Sequence, residues 1–261
     1  MRIIILGAGG FIGSYLTNEL TTAHQVLPIY KDTVDLFDNE TVRLLMEKVE
    51  PDVIINCLTF GGKDNLHNKD ANDVSKNLSL FYNFYSNSDL FKYFINIGSG
   101  IEKTDSTSAY AFSKKAISNL IGGDSKFITL RLFGCFGKNE NESRLLKRFL
   151  ESKEPFKIVN DRPFDYISIQ DFYNILKFVL ENLGTLALKD VSLIDCVYGE
   201  KITISEFLEL FCDINNIEKN YIIDSTSNDW YVGNPDMIYR LKKYHRLRLY
   251  GLAHGLKEYW I

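Results

Sequence analysis

Residues 2–13 read Arg2-Ile-Ile-Ile-Leu-Gly7-Ala-Gly-Gly10-Phe-Ile-Gly13. The apolar run is typical of a strand buried on both faces, and the glycines after it open a helix. In Gly7-x-x-Gly10-x-x-Gly13, the first glycine permits a tight turn, the middle one lets phosphates approach the backbone, and the last allows close packing of helix and strand. The helix N-terminus adds free N–H groups and a partial positive charge. We therefore predict a dinucleotide-binding turn, with a purely structural glycine turn as the alternative.

Strand-like and helix-like segments alternate from this turn onward. Strands are predicted at residues 2–6, 25–30, 52–57, 93–97 and 126–133, and helices at 11–21, 39–49, 72–88 and 108–121. Later segments predict helices at 142–151, 171–183 and 203–213, and strands at 157–159 and 191–197. Repeated β-α-β units predict an α/β fold with a doubly wound parallel Rossmann sheet, whose ligands lie at the carboxyl ends of the strands. We expect a dinucleotide-binding domain over 1–134 and 164–199, with a small interleaved substrate lobe over 135–163 and 200–261.

The end of the second strand bears on the choice of dinucleotide. An acidic side chain there would bind the ribose 2′-OH of NAD, whereas a cation would meet the 2′-phosphate of NADP. The strand ends in Tyr30-Lys31, and Asp32 follows one position later. Lys31 favours NADP(H), NAD remains possible through Asp32, and a solvated loop lysine is the alternative interpretation.

Composition excludes several classes of protein. The 261 residues are 45% apolar with a net charge of −4, which argues against a nucleic-acid-binding surface over the whole protein. No apolar run reaches the roughly 18 residues of a membrane span. The four cysteines form no C-x-x-C pair, which predicts free thiols and a cytoplasmic setting. The four histidines show no metal-ligand spacing, so no metal site is expected.

A tyrosine and a lysine are four residues apart in Ser106-Thr-Ser-Ala-Tyr110-Ala-Phe-Ser-Lys114. On a helix, positions i and i+4 lie on one face, so both side chains would point toward the same cleft. An ammonium near a phenol favours the phenolate and lowers the pKa of the phenol. The pair therefore predicts a tyrosine that exchanges protons near neutral pH. A surface pair without function is the alternative.

Together these features resemble the extended short-chain dehydrogenases/reductases, the group of nucleotide-sugar epimerases, dehydratases and reductases. Besides the glycine turn and the Tyr-x-x-x-Lys pair, the resemblance is carried by Asp35-Leu36, Asn77, Ser99, Arg131-Leu-Phe-Gly-Cys-Phe-Gly137 and Asp165-Tyr-Ile-Ser-Ile-Gln-Asp171. It covers nearly the whole chain and is weakest past residue 200. Residues 30–56 are similar to 4-keto reductases that make deoxy sugars, such as dTDP-4-dehydrorhamnose reductase and GDP-fucose synthase, which use NADPH as a rule.

The resemblance implies a role for each matching residue. Tyr110 would be the general acid/base, Lys114 would bind the nicotinamide ribose, and Ser99 would hydrogen-bond the reacting oxygen. The implied cofactor-binding residues are Gly7, Gly10, Phe11, Ile12, Gly13, Tyr30, Lys31, Asp35, Leu36, Cys57, Leu58, Thr59, Asn77, Ile97, Tyr110, Lys114 and Phe133. The implied substrate-binding residues are Ser99, Gly100, Gly134, Arg144, Arg162 and Trp230.

The implied reaction is the NADPH-dependent reduction of a keto group on a nucleotide-activated sugar, in the synthesis of modified sugars for surface polysaccharide. Gly100-Ile101-Glu102 replaces the adjacent Asp and Glu that a dehydratase usually carries after this strand, so dehydration is disfavoured. Two alternatives remain: a nucleotide-sugar epimerase that retains NAD, and a non-catalytic NAD(P)-binding sensor or scaffold.

The chain also departs from the family pattern. The segment from Ser99 to Tyr110 is far shorter than usual, which predicts a trimmed loop over the substrate. Gly134 stands where an asparagine is common, and Phe164 where an arginine is common, with Arg162 two positions earlier. By resemblance, a homodimer is expected through residues 72–88 and the helix that bears Tyr110.

Overall fold

The computed structural model describes residues 1–61, 71–104, 108–185, 188–189 and 191–260. Over these residues the chain forms two compact units, Met1–Arg131 with Leu188–Ile194, and Leu132–Ala187 with Asp195–Ile261. Ser106, in the stretch before the predicted tyrosine, lies outside the described residues. The division into a cofactor domain and a substrate lobe at the predicted boundaries stays a prediction.

Strands and helices alternate as predicted as far as residue 132, and the order is less regular after it. The strands are β1 Arg2–Leu6, β2 Gln25–Ile29, β3 Val53–Asn56, β4 Tyr93–Ser99, β5 Phe127–Leu132, β6 Gly134–Phe136, β7 Phe156–Ile158, β8 Tyr166–Ser168, β9 Leu193–Asp195 and β10 Tyr221–Ile223. The helices are α1 Phe11–Thr21, α2 Asn39–Val49, α3 Ala71–Tyr85, α4 Ala109–Ile121, α5 Leu145–Glu151, α6 Ile169–Asn182, α7 Ile204–Asn215, α8 Asp236–His245 and α9 Leu252–Trp260.

The first unit contains most of a six-stranded parallel sheet, in the order β2-β1-β3-β4-β5-β9. Ile3 of β1 is paired with Val26 on one side and with Val53 on the other. The strand order therefore reverses between β1 and β3, and open α/β sheets bind ligands beyond the carboxyl ends of the strands at such a reversal. The predicted doubly wound Rossmann sheet is confirmed, with the glycine turn and the loop after β3 at the reversal point.

An apolar cluster fixes helices α2, α3 and α4 against this sheet. Its buried members include Ile4, Ile54, Phe94 and Phe127 from the strands and Val42, Met46, Phe81, Phe84 and Ile117 from the helices. The rings of Phe81 and Phe94 meet edge-on with centroids 5.8 Å apart. Burial of a large apolar side chain stabilises a fold by about 1.5–3 kcal/mol. The cluster therefore anchors α4, the helix that carries the predicted tyrosine and lysine.

The second unit has two short parallel strand pairs, β6 with β8 and β7 with β10. Its core is aromatic, and buried members include Phe136, Phe149, Phe156, Phe207, Phe211 and Tyr259. Helix α7 begins at a capping box, in which Thr203 accepts from the Glu206 amide and Glu206 accepts from the Thr203 amide. The sequence offers Thr203 or Ser205 as the cap of this helix, and the structure has Thr203 in that position.

Some predicted element bounds differ from the structure. The helix predicted over 142–151 begins only at Leu145, because Asn141 Oδ1 accepts a hydrogen bond from the Ser143 amide and closes a turn there. The pair Asn234-Pro235 is typical of a cap followed by proline in the first turn of a helix, but Pro235 is instead the residue before α8. In the described part of the chain, no helix has the length and apolar character that a bilayer span requires.

Candidate active site

The glycine turn packs the start of α1 closely against the end of β1. Gly7 has φ +77°, and a Cβ there would lie 3.1 Å from backbone atoms of Cys57 and Leu58. At Gly13, a Cβ would lie 2.2 Å from the Gly7 carbonyl oxygen, which no side chain tolerates. The structure therefore needs glycine at both positions, the first for its backbone conformation and the second for the close packing of α1 on the turn.

Gly10 is different, because a Cβ there would come no nearer than 3.5 Å to the Gly7 oxygen. Gly10 is exposed and is the N-cap of α1, and no side chain caps the helix. The amides of Phe11, Ile12 and Gly13 form the first turn of α1. They therefore follow exposed glycine backbone that carries no capping side chain. A helix N-terminus of this kind suits an anion, so the residues fit a pyrophosphate.

The loop after β2 lies beside this turn. A Cβ on Gly9 would lie 3.6 Å from the Tyr30 ring, so the ring borders the glycine turn. Lys31 follows and is exposed. Asp35 is also exposed and accepts a hydrogen bond from the Phe37 amide at 3.0 Å. Leu36 is buried in the apolar cluster of the first unit, so little of its side chain is left for an adenine.

An asparagine ties the loop after β3 to α4. Asn77 Oδ1 accepts from the Phe60 amide at 2.9 Å, and Asn77 Nδ2 donates to the Phe60 carbonyl at 3.1 Å. The same Nδ2 donates to Ser113 Oγ at 3.1 Å. Asn77 therefore positions the loop with Cys57, Leu58 and Thr59, and its own contact with a cofactor stays a prediction. Thr59 is exposed, and burial raises the pKa of the Cys57 thiol to about 12.

Tyr110 and Lys114 lie on the same face of α4, as their spacing predicts. The helix begins after Ser108, whose side chain accepts from the Ala111 amide and places Tyr110 in the first turn. Lys114 Nζ lies 5.9 Å from the centroid of the Tyr110 ring. The same Nζ donates to the carbonyl of Ile97 on β4 at 2.8 Å. Burial lowers the pKa of the Lys114 ammonium.

Ser99 ends β4 and is buried. Its Oγ accepts from the Ile101 amide at 3.3 Å, and its own amide donates to Glu102 Oε1 at 2.6 Å. Together they form a capping box on the short helix Gly100–Lys103, in which Gly100 is buried. The Lys114 ammonium therefore contacts β4 close to Ser99, since Ile97 is two residues before Ser99. Sequence reasoning missed Glu102, although the Ser-x-x-Glu spacing signals a capping box.

A scan against protein-family models matches residues 3–191 to the NAD dependent epimerase/dehydratase family. The chain belongs to this family. It is similar to a dTDP-4-dehydrorhamnose reductase of Burkholderia thailandensis, with 29% identity over 182 residues, which is 62% of this chain and 60% of that relative's length. The family resemblance inferred from the sequence is confirmed, and nucleotide-sugar reductases stand among the relatives.

Solved structures of family members share the fold. The dTDP-4-dehydrorhamnose reductase of Bacillus anthracis, solved in complex with NADP, superposes with a TM-score of 0.80 at 16% identity, over 99% of this chain and 97% of that one. A GDP-l-fucose synthetase of Naegleria fowleri bound to NADP gives a TM-score of 0.78 at 16% identity, over 99% and 91% of the two chains. At these identities the similarity establishes the Rossmann-like fold alone.

In this family member, Gly134 is packed under two aromatic rings. A Cβ at Gly134 would lie 2.8 Å from the Tyr166 ring and 2.9 Å from the Phe164 ring. These two rings stack with centroids 4.7 Å apart. The two departures from the family pattern are therefore linked, because the Phe164 ring fills the space that an asparagine at position 134 would need.

The other predicted residues of the second unit are spread over its surface and core. Arg144 is exposed and donates to the Cys135 carbonyl at 3.2 Å, and Trp230 is two-thirds exposed. The Arg162 guanidinium lies 5.8 Å from the centroid of the Tyr231 ring. Phe133, predicted to contact the cofactor, is buried, and its ring meets the Tyr231 ring at 5.3 Å.

Asp165 is a buried carboxylate of this unit to which the sequence motif assigned no role. Asp165 Oδ2 accepts from Lys201 Nζ and from the Gly233 amide, each at 2.6 Å. Burial raises the pKa of Asp165, and the hydrogen bond from Lys201 opposes that shift. No local pattern could have found this pair, because Lys201 is 36 residues away along the chain.

Proposed function

We propose that this protein reduces a keto group on a nucleotide-activated sugar with NADPH, in the synthesis of modified sugars for polysaccharide. One observation carries the proposal: Tyr110 and Lys114 share a face of α4, and Lys114 Nζ reaches the Ile97 carbonyl on the strand that ends in Ser99. A dTDP-4-dehydrorhamnose reductase among its relatives and a GDP-l-fucose synthetase among its neighbours in fold are both named for nucleotide-linked sugars and support this substrate class.

The proposed mechanism assigns one task to each of three side chains. When bound, the reduced nicotinamide supplies the hydride that reaches the keto carbon. The Tyr110 hydroxyl gives its proton to the oxygen that becomes the alcohol. The Ser99 oxygen accepts from Ile101, so its O–H is left to donate to the same substrate oxygen. The Lys114 ammonium stabilises the phenolate that Tyr110 becomes and binds the nicotinamide ribose.

We propose NADPH as the preferred cofactor, with NAD possible. Lys31 is an exposed cation directly after β2, where a 2′-phosphate would lie. Two neighbours in fold, the reductase of Bacillus anthracis and the synthetase of Naegleria fowleri, were solved with NADP bound. We propose cofactor binding for the first unit. For the second unit we propose sugar-binding roles for Gly134, Arg144, Arg162 and Trp230.

The test is turnover of a panel of dTDP- and GDP-linked 4-keto-6-deoxyhexoses with NADPH or NADH. The expected result is loss of the absorbance of reduced nicotinamide together with a sugar product that has gained two hydrogens by mass spectrometry. The Tyr110→Phe variant serves as the matched control and should still bind NADPH. Interconversion of sugar epimers without added reductant would favour the epimerase, and tight NADPH binding with no turnover would favour the sensor.

We also propose a cytoplasmic homodimer. The four cysteines are free, as a reducing compartment requires. The outer sides of α3 and α4 expose large apolar side chains, namely Tyr82, Tyr85, Phe112 and Leu120. Helices α3 and α4 pack on each other in the first unit, and we propose that their exposed apolar side chains pair isologously with those of a second copy.

A further inference from the structure

The carboxylate of Glu102 lies at the junction of three elements. The residue is only 5% exposed. Its Oε1 accepts from the Ser99 amide at the end of β4, and its Oε2 accepts from Ser118 Oγ on α4, both at 2.6 Å. Ser118 lies one helical turn after Lys114, on the same face. One side chain thus joins the strand that bears Ser99 to the helix that bears Tyr110 and Lys114.

Arg131 adds a third connection, from β5. Its Nε and Nη2 lie 3.1 and 3.0 Å from Glu102 Oε2, and its side chain is 12% exposed. Glu102 therefore takes hydrogen bonds on both oxygens from groups on three different elements. Leaving a buried carboxylate without partners costs several kcal/mol, so this full set of donors is what allows a charge at this position.

The glycine at position 98 leaves space for the Glu102 carboxylate. A Cβ at Gly98 would lie 2.7 Å from Glu102 Oε1 and 2.6 Å from the Thr129 methyl group. A side chain at position 98 would displace the carboxylate from the Ser99 amide. The position of the Glu102 carboxylate therefore depends on the absence of a side chain at Gly98 as well as on its hydrogen bond from the Ser99 amide.

Glu102 also acts on Lys114 through its charge. Burial lowers the pKa of the Lys114 ammonium, and the nearby Glu102 carboxylate opposes that shift. Among the described residues, the Cys57 thiol, from the loop after β3, and the Tyr110 ring on its own helix also face Lys114. The Glu102 carboxylate favours the charged form of this lysine, which is buried beside Ile97.

We propose that Glu102 is the positioning residue of this site: it sets the Ser99 hydroxyl relative to the Tyr110–Lys114 helix and supplies the counter-charge for the Lys114 ammonium. This role rests on the function proposed above. Glu102 touches neither the sugar nor the cofactor in this assignment, and it acts only through Ser99, Ser118 and Lys114.

The test is Glu102→Gln, which keeps the shape of the side chain and an acceptor for Ser99 but removes the charge. NADPH affinity is measured by fluorescence across the pH range, and kcat and KM are measured with the sugar that the wild type reduces. We expect kcat to fall about 10- to 100-fold with little change in KM. We expect the alkaline loss of NADPH affinity to move down by about one pH unit, because Lys114 loses its counter-charge.

Glu206→Gln is the matched control, since Glu206 closes the capping box of α7 with a 2.7 Å bond from the Thr203 amide. It should lower Tm without moving the alkaline limb of NADPH binding. If Glu102→Gln does not fold, Ser118→Ala removes one link and should lower kcat about threefold to tenfold.

The proposal would be overturned if Glu102→Gln lost NADPH affinity at the same alkaline pH as the wild type and had the wild-type kcat. A wild type that reduces no sugar would reject the proposed function instead, and the pH dependence of NADPH binding would still decide the role of Glu102.

Discussion

Lys114 Nζ donates a 2.8 Å hydrogen bond to the carbonyl of Ile97 and thereby joins the first half of α4 to the end of β4. An ammonium has three donors, so this bond leaves two for a ribose or a phenolate. The lysine is therefore already oriented by the protein, and its charge is held where burial disfavours it.

The first prediction concerns Lys114→Met. Burial lowers the pKa of Lys114, so the unfolded chain binds its proton more tightly than the folded one. Methionine should therefore raise the free energy of unfolding, and this gain should shrink as pH rises through the native pKa. Turnover should fall about 100-fold or more, since the phenolate of Tyr110 loses its stabilising cation. Urea unfolding at several pH values checks stability, and Lys115→Met is the control because Lys115 is exposed.

The second prediction separates two glycines. Gly13→Ala places a Cβ 2.2 Å from the Gly7 oxygen and should lower the free energy of unfolding by about 2–4 kcal/mol. Gly10→Ala meets nothing nearer than 3.5 Å and should leave stability within about 1 kcal/mol. It should nonetheless weaken NADPH binding at least about tenfold, because the methyl group occupies the approach to the pyrophosphate. Full NADPH affinity in Gly10→Ala would place the phosphates elsewhere.

The third prediction concerns the choice of dinucleotide. Lys31→Ala removes the exposed cation after β2 and should weaken NADPH binding about 5- to 20-fold while NADH binding changes little. Affinities from titration of protein fluorescence check the ratio at two salt concentrations. Lys48→Ala, at the end of α2, is the control for loss of one positive charge. Equal loss of NADH and NADPH affinity would contradict a contact to the 2′-phosphate.

The fourth prediction is a pH effect in the second unit. Burial raises the pKa of Glu140 from 4.5 to about 6, and Tyr259 Oη donates to its Oε1 at 3.0 Å. The folded state thus holds this proton more tightly, so the Glu140 contribution to stability is present below pH 4.5 and is lost as pH rises through about 6. Glu140→Gln should be more stable than wild type at pH 8, by about 2 kcal/mol at most, and equal to it at pH 4.

The measurement for Glu140→Gln is chemical unfolding at both pH values. Glu142→Gln serves as the control, because Glu142 is exposed and its substitution changes the net charge equally. A stability difference that does not depend on pH would show that the Glu140 carboxyl titrates no differently in the folded and unfolded states.

The fifth prediction tests the homodimer. Tyr82→Glu and Leu120→Glu put charges on the exposed apolar side chains of α3 and α4, where isologous pairing would bury them. Each variant should shift the mass measured by light scattering from dimer to monomer without loss of helicity. Tyr244→Glu is the control, because Tyr244 is an exposed side chain on α8 of the second unit. A wild type that is monomeric at micromolar concentration would reject the proposed dimer.

The sequence predicted the parts of this fold that depend on local patterns. Ile3, Ile4 and Ile5 followed by Gly7 are sufficient for a buried strand and its turn, and the i, i+4 spacing of Tyr110 and Lys114 is sufficient to place them on one face. Contacts between distant segments were not predictable in this way. The bond between Glu102 and Arg131 joins residues 29 apart, and that between Asp165 and Lys201 joins residues 36 apart. Such pairs depend on strand order and on packing.

The contacts of individual side chains also lay beyond local sequence patterns. Leu36 and Asn77 match family positions and stand among the implied cofactor-binding residues, and these roles stay predictions. In the structure the Leu36 side chain is part of the apolar core, and the Asn77 amide is occupied by the Phe60 backbone and Ser113. A matched position indicates where a residue lies, whereas its hydrogen-bond partners decide whether it is free to bind a ligand.

The space shared by Gly134, Phe164 and Tyr166 constrains how this protein can diverge. An asparagine at position 134 becomes tolerable only after one of the two rings has been replaced by a smaller side chain, so the order of substitutions matters. The three positions should therefore vary together among descendants of this sequence, and a library that randomises position 134 alone would recover almost no altered variants.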